Sequence, residues 1–317
     1  MRAPLLAAAC CLLRLTAAGP GAALQKTLNP RLLARSNATS DSVLNPRQNL
    51  TAPGDKLKPG PQLRVLCTGD SITAGTFSEL DGGDGNGYRL RLRENLSSGV
   101  SADRVVFAGT ETAPQGTMSD GFFAAWPGKT IKFMTDHIEP SLKQRPNLIL
   151  LHAGTNDMNA DPAISTEGND PTEAVKRLGT LVDRMSDSCP DAVVLVAMII
   201  NTCVPAQAPR TQEFQRQIPA MVQQRFEDGR RVLAVNMTSF PTDQLRDCIH
   251  PTNDGYRLFG DYWSDVVTQV PEEWLEAPAE ANSAEDPAAS PANRSGVPQW
   301  RLAVTLAAAA VGVLTAW

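Results

Sequence analysis

The chain has 317 residues, with 29 Lys and Arg against 34 Asp and Glu, which gives a formal net charge of -5. This acidic balance argues against general nucleic-acid binding, which normally requires a basic surface. Hydrophobic residues make up 42% of the chain and charged residues 20%, as is typical of a globular protein rather than a disordered one. The three histidines, His137, His152 and His250, have no zinc-binding spacing, so we expect no metal site.

The first 23 residues are predicted to be a secretory signal peptide. Met1 and Arg2 precede an apolar run that ends at Leu13, and small residues continue to Ala23. The run is too short to cross a bilayer, which disfavours an N-terminal membrane anchor. Residues 24–62 are then expected to form a poorly ordered extension.

Residues 63–275 are predicted to form one α/β domain. Helical stretches alternate with five short apolar runs, at residues 63–67, 105–108, 148–152, 192–200 and 232–235. The runs are continuously apolar, as in strands that are buried on both faces. Two helices carry apolar residues at core-facing spacing, namely Ala174, Leu178, Leu181 and Met185, and Tyr256, Phe259, Trp263 and Val266. This order predicts a three-layer α/β/α sandwich around a five-stranded parallel sheet.

Residues that can carry chemistry follow four of the predicted strands. A Gly-Asp-Ser sequence ending at Ser71 follows the first strand, Gly109 the second, Asn156 the third, and Asp247 and His250 the fifth. The carboxyl ends of parallel strands form one edge of a sheet, where ligands bind. We therefore expect these residues to lie close together.

Their chemistry is that of a serine esterase. Ser71 is the candidate nucleophile and needs an adjacent base, for which His250 is suited. Asp247, three residues earlier, can orient the imidazole ring and stabilise its charged form. The backbone N–H groups of Ser71 and Gly109 and the side-chain amide of Asn156 are predicted to form the oxyanion hole.

Other polar residues near these positions are predicted to be structural. Asp70 and Asp157 are expected to hold loop backbone through local hydrogen bonds. His152, at the end of a buried strand, is expected to be a hydrogen-bonded core residue, and His137 to lie on a helix surface.

The C-terminal segment has the composition of a linker followed by an anchor signal. Residues 276–299 are rich in Ala, Pro, Ser and Glu and cannot bury a core. Residues 300–317 are mostly apolar, but shorter than the about 20 residues that a spanning helix needs. Small residues near Asn293 and Ser295, a polar spacer and this tail are typical of a GPI-attachment signal, with a plain tail anchor as the alternative.

Four cysteines remain after removal of the signal peptide, and they allow three pairings. Cys203 follows the fourth predicted strand, and Cys248 lies beside Asp247. Both are expected at the catalytic edge, and we predict a disulfide between them. Cys67 and Cys189 are expected at opposite ends of the sheet and should not pair.

A secreted chain would also expose glycosylation acceptors. Five Asn-x-Ser/Thr sequons are present, at Asn37, Asn49, Asn95, Asn236 and Asn293. Some of them are expected to carry glycans.

The sequence resembles the SGNH (GDSL) hydrolase superfamily in four blocks. These are Gly69-Asp70-Ser71, Gly109, Gly154-Thr155-Asn156-Asp157 and the segment from Asp247 to His250. Gly87-Tyr88-Arg89 is similar to carbohydrate esterase family 3, whose members are mainly acetylxylan esterases. The resemblance covers residues 63 to about 270 and implies a flavodoxin-like SGNH fold, with the nucleophile, oxyanion and base roles on the residues named above.

The combined prediction is a secreted, GPI-anchored serine esterase that removes short acyl groups, chiefly acetyl, from carbohydrate. It would act as a monomeric domain without a cofactor, on an acylated carbohydrate or small ester, attached to membrane or cell wall through its C-terminal anchor. One alternative is a carboxylesterase or lipase-like enzyme acting on lipid or small esters. Another is a non-catalytic surface binding protein on an esterase scaffold.

Overall fold

Residues 42–47, 60–98 and 101–280 are described by the computed structural model, and all of them belong to one unit of the chain. Several predicted features lie outside these residues: the signal peptide, the C-terminal tail, most of the extension and of the linker, and the sequons at Asn37, Asn49 and Asn293. Within the described residues, no helix is both long enough and apolar enough to cross a bilayer.

Seven strands and seven α-helices are found in the described part of the chain. The strands are β1 (Val43–Leu44), β2 (Leu63–Gly69), β3 (Val105–Ala108), β4 (Ala124–Ala125), β5 (Leu148–His152), β6 (Val193–Met198) and β7 (Val232–Asn236). The helices are α1 (Ser71–Ala74), α2 (Arg89–Leu96), α3 (Ile131–His137), α4 (Glu139–Leu142), α5 (Pro171–Ser188), α6 (Ala208–Glu227) and α7 (Asn253–Val267).

The sheet is parallel and has the strand order β1-β7-β6-β5-β2-β3, with β4 paired to β2 beyond the end of β3. All five predicted strands are present, but the predicted strand number is wrong because β1 and β4 add two short strands. Two residues are too few to show a hydrophobic pattern. Since β1 pairs with β7, part of the segment expected to be a poorly ordered extension belongs to the sheet.

Alternate residues of the central strands feed two separate cores. In β2, Val65 and Cys67 point into a core shared with α2 and α7, whereas Leu66 points into a core shared with α3, α4, α5 and α6. A sheet covered by helices on both faces buries every strand residue, which explains the continuously apolar runs. The predicted three-layer α/β/α architecture is therefore confirmed.

The two longest predicted hydrophobic stripes face these cores. Helix α5 begins after Asp170, whose side chain accepts hydrogen bonds from the N–H groups of Thr172 and Glu173. Helix α7 begins after Thr252, which caps the N–H of Gly255. All eight predicted stripe residues are buried: Ala174, Leu178, Leu181, Met185, Tyr256, Phe259, Trp263 and Val266. Each large apolar side chain buried in this way contributes about 1.5–3 kcal/mol to folding.

The residues after the predicted domain end at 275 pack along the amino edge of the sheet. The carbonyl of Glu276 accepts a hydrogen bond from Nδ2 of Asn147 at 2.6 Å, and that of Ala279 accepts one from Nη1 of Arg64 at 3.0 Å. Glu276 and Ala279 thus lie at the edge opposite the carboxyl ends of the strands.

The two described sequons differ in environment. Nδ2 of Asn95 donates to Oδ1 of Asp261 at 2.7 Å and to Oγ of Ser264 at 2.9 Å, which joins α2 to α7. An N-linked glycan would replace one of these hydrogens, so the folded structure disfavours glycosylation at Asn95. Asn236, at the end of β7, is half-buried and donates to Oδ1 of Asn45 at 3.0 Å.

Candidate active site

Ser71 is the first residue of α1 and lies directly after β2. The side chain of Asp70 caps this helix by accepting a hydrogen bond from the N–H of Ile72 at 3.0 Å. A Cβ atom at residue 69 would lie 2.2 Å from the carbonyl oxygen of His152 and 2.5 Å from Oγ1 of Thr73. Only glycine therefore permits the close passage from strand to helix that places Ser71 at the sheet edge.

The three residues predicted to act together form one hydrogen-bonded chain. Nε2 of His250 lies 2.8 Å from Oγ of Ser71, and Nδ1 of His250 lies 2.7 Å from Oδ2 of Asp247. With Asp247 ionised, Nδ1 donates to the carboxylate and Nε2 is left to accept the serine proton. The arrangement matches the geometry that serine nucleophiles require.

The Asp247 carboxylate is held in its charged form. Burial acts to raise its pKa, but hydrogen bonds from the His250 ring and backbone and from the Ile249 N–H outweigh this and lower the pKa to about 2. Asp247 is thus ionised throughout the neutral range and can stabilise an imidazolium.

A disulfide holds the segment that carries the base. Cys203 and Cys248 are bonded, as predicted, and the carbonyl of Cys248 accepts hydrogen bonds from the Cys203 N–H at 3.3 Å and the Thr202 hydroxyl at 2.8 Å. Cys248 has a φ of 69°, a left-handed conformation that non-glycine residues adopt at a cost. The rings of Phe77 and His250 make a T-shaped contact, with ring centroids 5.1 Å apart. These contacts fix the imidazole facing Ser71.

Gly109 does not offer the free N–H that the sequence predicts. Its N–H donates to Oε1 of Gln144 at 2.9 Å, and its carbonyl accepts from Nε2 of the same side chain at 3.1 Å. A Cβ at residue 109 would lie 2.2 Å from the backbone of Phe123. The glycine is therefore explained by close packing of two backbone segments.

The chain segment beside Ser71 is the one that follows β4, whereas the sequence predicts the one that follows β3. β4 pairs with the last two residues of β2, and the chain then turns through Gly128, which has a φ of 74°. The N–H of Gly128 donates to no acceptor among the described residues, and Nδ2 of Asn156 donates to the carbonyl of Lys129 at 2.9 Å. Gly128 and Asn156 thus lie on adjoining segments. The Pro127-Gly128 dipeptide before an apolar helix is the sequence signal that could have identified this turn.

The neighbouring ionisable residues are structural, but the prediction of local hydrogen bonds is wrong for Asp157, whose partners lie 26 and 20 residues away. Besides capping α1, Asp70 is fully buried, and burial raises its pKa to about 6. Asp157 accepts hydrogen bonds from the N–H of Ile131 and from Arg177, although its burial raises its pKa. His152 accepts the N–H of Ile200 at 3.1 Å, and burial lowers its pKa to about 3, so this core histidine is neutral. His137 is exposed on α3.

Arg89 holds two segments of the catalytic site together. It is fully buried, donates to the carbonyl of Thr73 in α1, and its guanidinium lies 4.2 Å from the centre of the Phe123 ring. Arg89 therefore joins the helix of the nucleophile to the segment that leads into β4. The sequence marks this residue only through a family resemblance, because its contacts are far apart along the chain.

Within residues 42–47, 60–98 and 101–280, no cluster of His, Cys, Asp or Glu side chains is arranged to hold a metal ion. The site as described consists of a hydroxyl, an imidazole, a carboxylate and amide donors, a set suited to acyl transfer.

Solved structures with the same fold include several esterases. A Clostridium thermocellum family 3 carbohydrate esterase is 22% identical, with a TM-score of 0.52 over 68% of this chain and 99% of that one. A family 3 carbohydrate esterase from Talaromyces cellulolyticus is 21% identical, with a TM-score of 0.54 over 66% and 97% of the two chains. An acetylxylan esterase from Geobacillus stearothermophilus is 16% identical, with a TM-score of 0.51 over 69% and 99%. At these identities the likeness shows the fold.

No curated protein matches the sequence. Residues 67–258, which include the end of β2 and the start of α7, match the GDSL-like lipase/acylhydrolase family. The match spans more than half of the chain and contains the whole hydrogen-bonded chain from Ser71 to Asp247. The chain therefore belongs to the GDSL-like lipase/acylhydrolase family and is a carboxylic ester hydrolase.

Proposed function

We propose that the protein is a serine esterase that removes acetyl or other short acyl groups from carbohydrate. The observation that carries the mechanism is the continuous chain from Ser71 Oγ through the His250 ring to the Asp247 carboxylate, with separations of 2.8 and 2.7 Å. A serine hydroxyl that is hydrogen-bonded to an oriented imidazole is activated for attack on a carbonyl.

The reaction follows two steps. His250 takes the proton of Ser71 as its oxygen attacks the ester carbonyl, and then gives that proton to the departing alcohol, which leaves an acyl-serine. Water then attacks the acyl group with His250 again as base, which releases the carboxylic acid and restores Ser71. Asp247 stabilises the imidazolium in both steps, and the chain's own residues supply all the groups that move protons.

The negative charge that develops on the carbonyl oxygen needs preorganised donors. The N–H of Ser71 and the second amide hydrogen of Asn156 are two candidates, and the N–H of Gly128 replaces that of Gly109 as the third. The choice of Gly128 over Gly109 is supported by the hydrogen bond that already joins Gly109 to Gln144 and by the position of Gly128 beside Asn156. Each such donor lowers the barrier by about 3–4 kcal/mol.

The carbohydrate substrate is supported by the names of the structures with the same fold, two of which are called carbohydrate esterases and a third an acetylxylan esterase. The test is acetate release from acetylated xylan by wild type and by Ser71→Ala. Wild type should release acetate and be labelled by a fluorophosphonate, and the variant should do neither. Labelling with no acetate release from any acetylated sugar would refute the substrate class and leave the mechanism intact. The absence of labelling would instead favour the non-catalytic alternative.

Secretion and surface anchoring are part of the proposal. A disulfide exposed at the Cys203 side chain is typical of an oxidising compartment, which agrees with the signal peptide expected from the sequence. Release of the mature protein from cells by a phosphatidylinositol-specific phospholipase would support a GPI anchor, whereas retention would favour a tail anchor.

A second candidate, an esterase of lipid or other apolar esters, is favoured by one observation. Leu80 is the large apolar side chain that is most exposed in the described structure, at 41%. It lies beside the segment of the base, because Nδ2 of Asn253 donates to its carbonyl at 2.7 Å and Asp81 pairs with Arg246 at 2.7 Å. Nitrophenyl esters of increasing chain length separate the candidates: activity that rises from acetate to octanoate would favour the apolar substrate.

A further inference from the structure

A groove of approximately 200 Å³ lies beside the turn at Gly128. One wall is formed by this turn and the start of α3, and the other by the loop before α5. The residues that line it include Gly128, Lys132, Phe133, Ala163, Ile164 and Glu167. We infer that this groove binds the sugar ring adjacent to the scissile ester, an inference that rests on the proposed carbohydrate esterase function.

The groove adjoins the proposed oxyanion donors through one segment, Gly128-Lys129. Gly128 lines it and also presents the proposed oxyanion donor, and the next residue, Lys129, accepts the hydrogen bond from Asn156 at 2.9 Å. An ester whose carbonyl oxygen lies at Gly128 and Asn156 therefore has the groove beside it. An acetyl group is far smaller than this space, whereas a pyranose ring with its hydroxyls is of comparable size.

The two walls are joined by a chain of hydrogen bonds through Asp157 and Arg177. Oδ2 of Asp157 accepts the N–H of Ile131, at the start of α3, at 2.9 Å, and Oδ1 accepts Nη2 of Arg177 at 3.0 Å. Nη2 of Arg177 also donates to the carbonyl of Gly168, at the end of the opposite loop, at 3.2 Å. Asp157 is fully buried, so the width of the groove is set before substrate binds.

The lining combines apolar and charged groups. The half-buried Phe133 ring stacks on His137 with centroids 3.8 Å apart and has the Lys129 ammonium 5.0 Å from its centre. Lys132 and Glu167 add charged hydrogen-bonding groups at the rim. A sugar ring presents C–H faces and a rim of hydroxyls, so it can use both kinds of group at once. Lys132 pairs with Asp136 at 2.5 Å, and Glu167 accepts a hydrogen bond from the Thr166 hydroxyl at 2.9 Å, both at the exposed rim.

Binding at this groove would position the ester for attack by Ser71. Contacts to a part of the substrate that does not react raise kcat/KM when they hold the reacting carbonyl in place. The groove should therefore raise kcat/KM for acetylated sugars relative to nitrophenyl acetate, which has no sugar.

Ala163→Trp tests the inference because Ala163 is exposed and its enlarged side chain would fill the groove. We expect the ratio of kcat/KM for an acetylated xylo-oligosaccharide to kcat/KM for nitrophenyl acetate to fall about tenfold or more. The Ki of the unacetylated oligosaccharide as an inhibitor of nitrophenyl acetate hydrolysis should rise in parallel. A second variant, Glu167→Ala, removes a hydrogen-bonding group without adding bulk and should lower the same ratio by about threefold or more.

The matched control is Ala220→Trp, the same substitution at an exposed position of α6 outside the groove. It should leave the ratio and the Ki unchanged. If both groove variants keep the wild-type ratio and the wild-type Ki, the groove assignment is overturned and the proposed function is not. Wild type that hydrolyses nitrophenyl acetate but no acetylated sugar would overturn the carbohydrate function together with it.

Discussion

The side-chain amide of Gln144 bonds both backbone groups of Gly109, accepting from its N–H at 2.9 Å and donating to its carbonyl at 3.1 Å. A buried backbone N–H that is already paired cannot stabilise an oxyanion unless that pair breaks. Gly128, whose turn lies beside Asn156, is therefore the better oxyanion donor.

Replacing a single peptide N–H by an ester oxygen distinguishes these two glycines. Incorporation of glycolic acid at position 128 should lower kcat on nitrophenyl acetate about 10²–10³-fold, the usual cost of one oxyanion donor. The same replacement at position 109 should lower the free energy of unfolding by about 1 kcal/mol through loss of the Gln144 bond, and kcat by less than about threefold. A large loss of kcat at 109 with none at 128 would restore the assignment made from the sequence.

Asp247→Asn should lower kcat by roughly 10³–10⁴-fold with little change in KM for nitrophenyl acetate. The amide cannot stabilise the imidazolium and offers a donor where the His250 ring needs an acceptor. Asp243→Asn, an exposed aspartate four residues earlier, is the matched control and should retain wild-type kcat. Similar kinetics for the two variants would show that the carboxylate has no role in the reaction.

Asp70→Asn should stabilise the protein at alkaline pH. Burial raises the pKa of Asp70 from 3.8 to about 6, so its favourable contribution to stability is complete below pH 3.8 and is lost as the pH rises through 6. Asparagine keeps an acceptor for the N–H of Ile72 and cannot ionise, so it avoids this loss of stability. A pKa shift of this size corresponds to a loss of at most about 3 kcal/mol.

Urea unfolding at about pH 4 and pH 8 measures the effect of Asp70→Asn. The first pH lies near the unfolded pKa of Asp70 and the second lies above its folded pKa, so the free energies of unfolding at these two pH values contain most of the expected effect. The gain over wild type should be larger at pH 8. Asp191→Asn, at an exposed aspartate, should show no such pH dependence. An equal change at both pH values would mean that the pKa of Asp70 is the same in the folded and unfolded states.

Replacement of both Cys203 and Cys248 by Ser should lower stability and activity together. The disulfide closes a separation of 45 residues, for which the chain-entropy relation gives about 4 kcal/mol. Without it the left-handed conformation at Cys248 is less constrained, and kcat should fall about tenfold because the His250 ring is less well positioned. Thermal unfolding and kcat measure the two effects, and non-reducing peptide mapping identifies the pair. Free thiols at both positions in active enzyme would contradict this account.

The amino-acid sequence by itself determined the architecture and the catalytic group. Strands buried on both faces must be continuously apolar, and helices with one buried face must show a period near 3.6, so β2, β5, α5 and α7 could all be recognised. Parallel strands bring their carboxyl ends to one edge, and for this reason Ser71, Asp247 and His250 could be assigned together before their distances were known.

Only the tertiary structure decided which glycine borders the nucleophile. β4 has two residues and no periodic signal, yet its pairing with the end of β2 brings Gly128 to the site. The bonds of Gly109 to Gln144, of Asn95 to Asp261 and of Asp157 to Ile131 join residues 26 to 166 positions apart. Local patterning specifies which face of an element is buried, but polar partners across such separations depend on how the elements pack, and so the sequence could not reveal them.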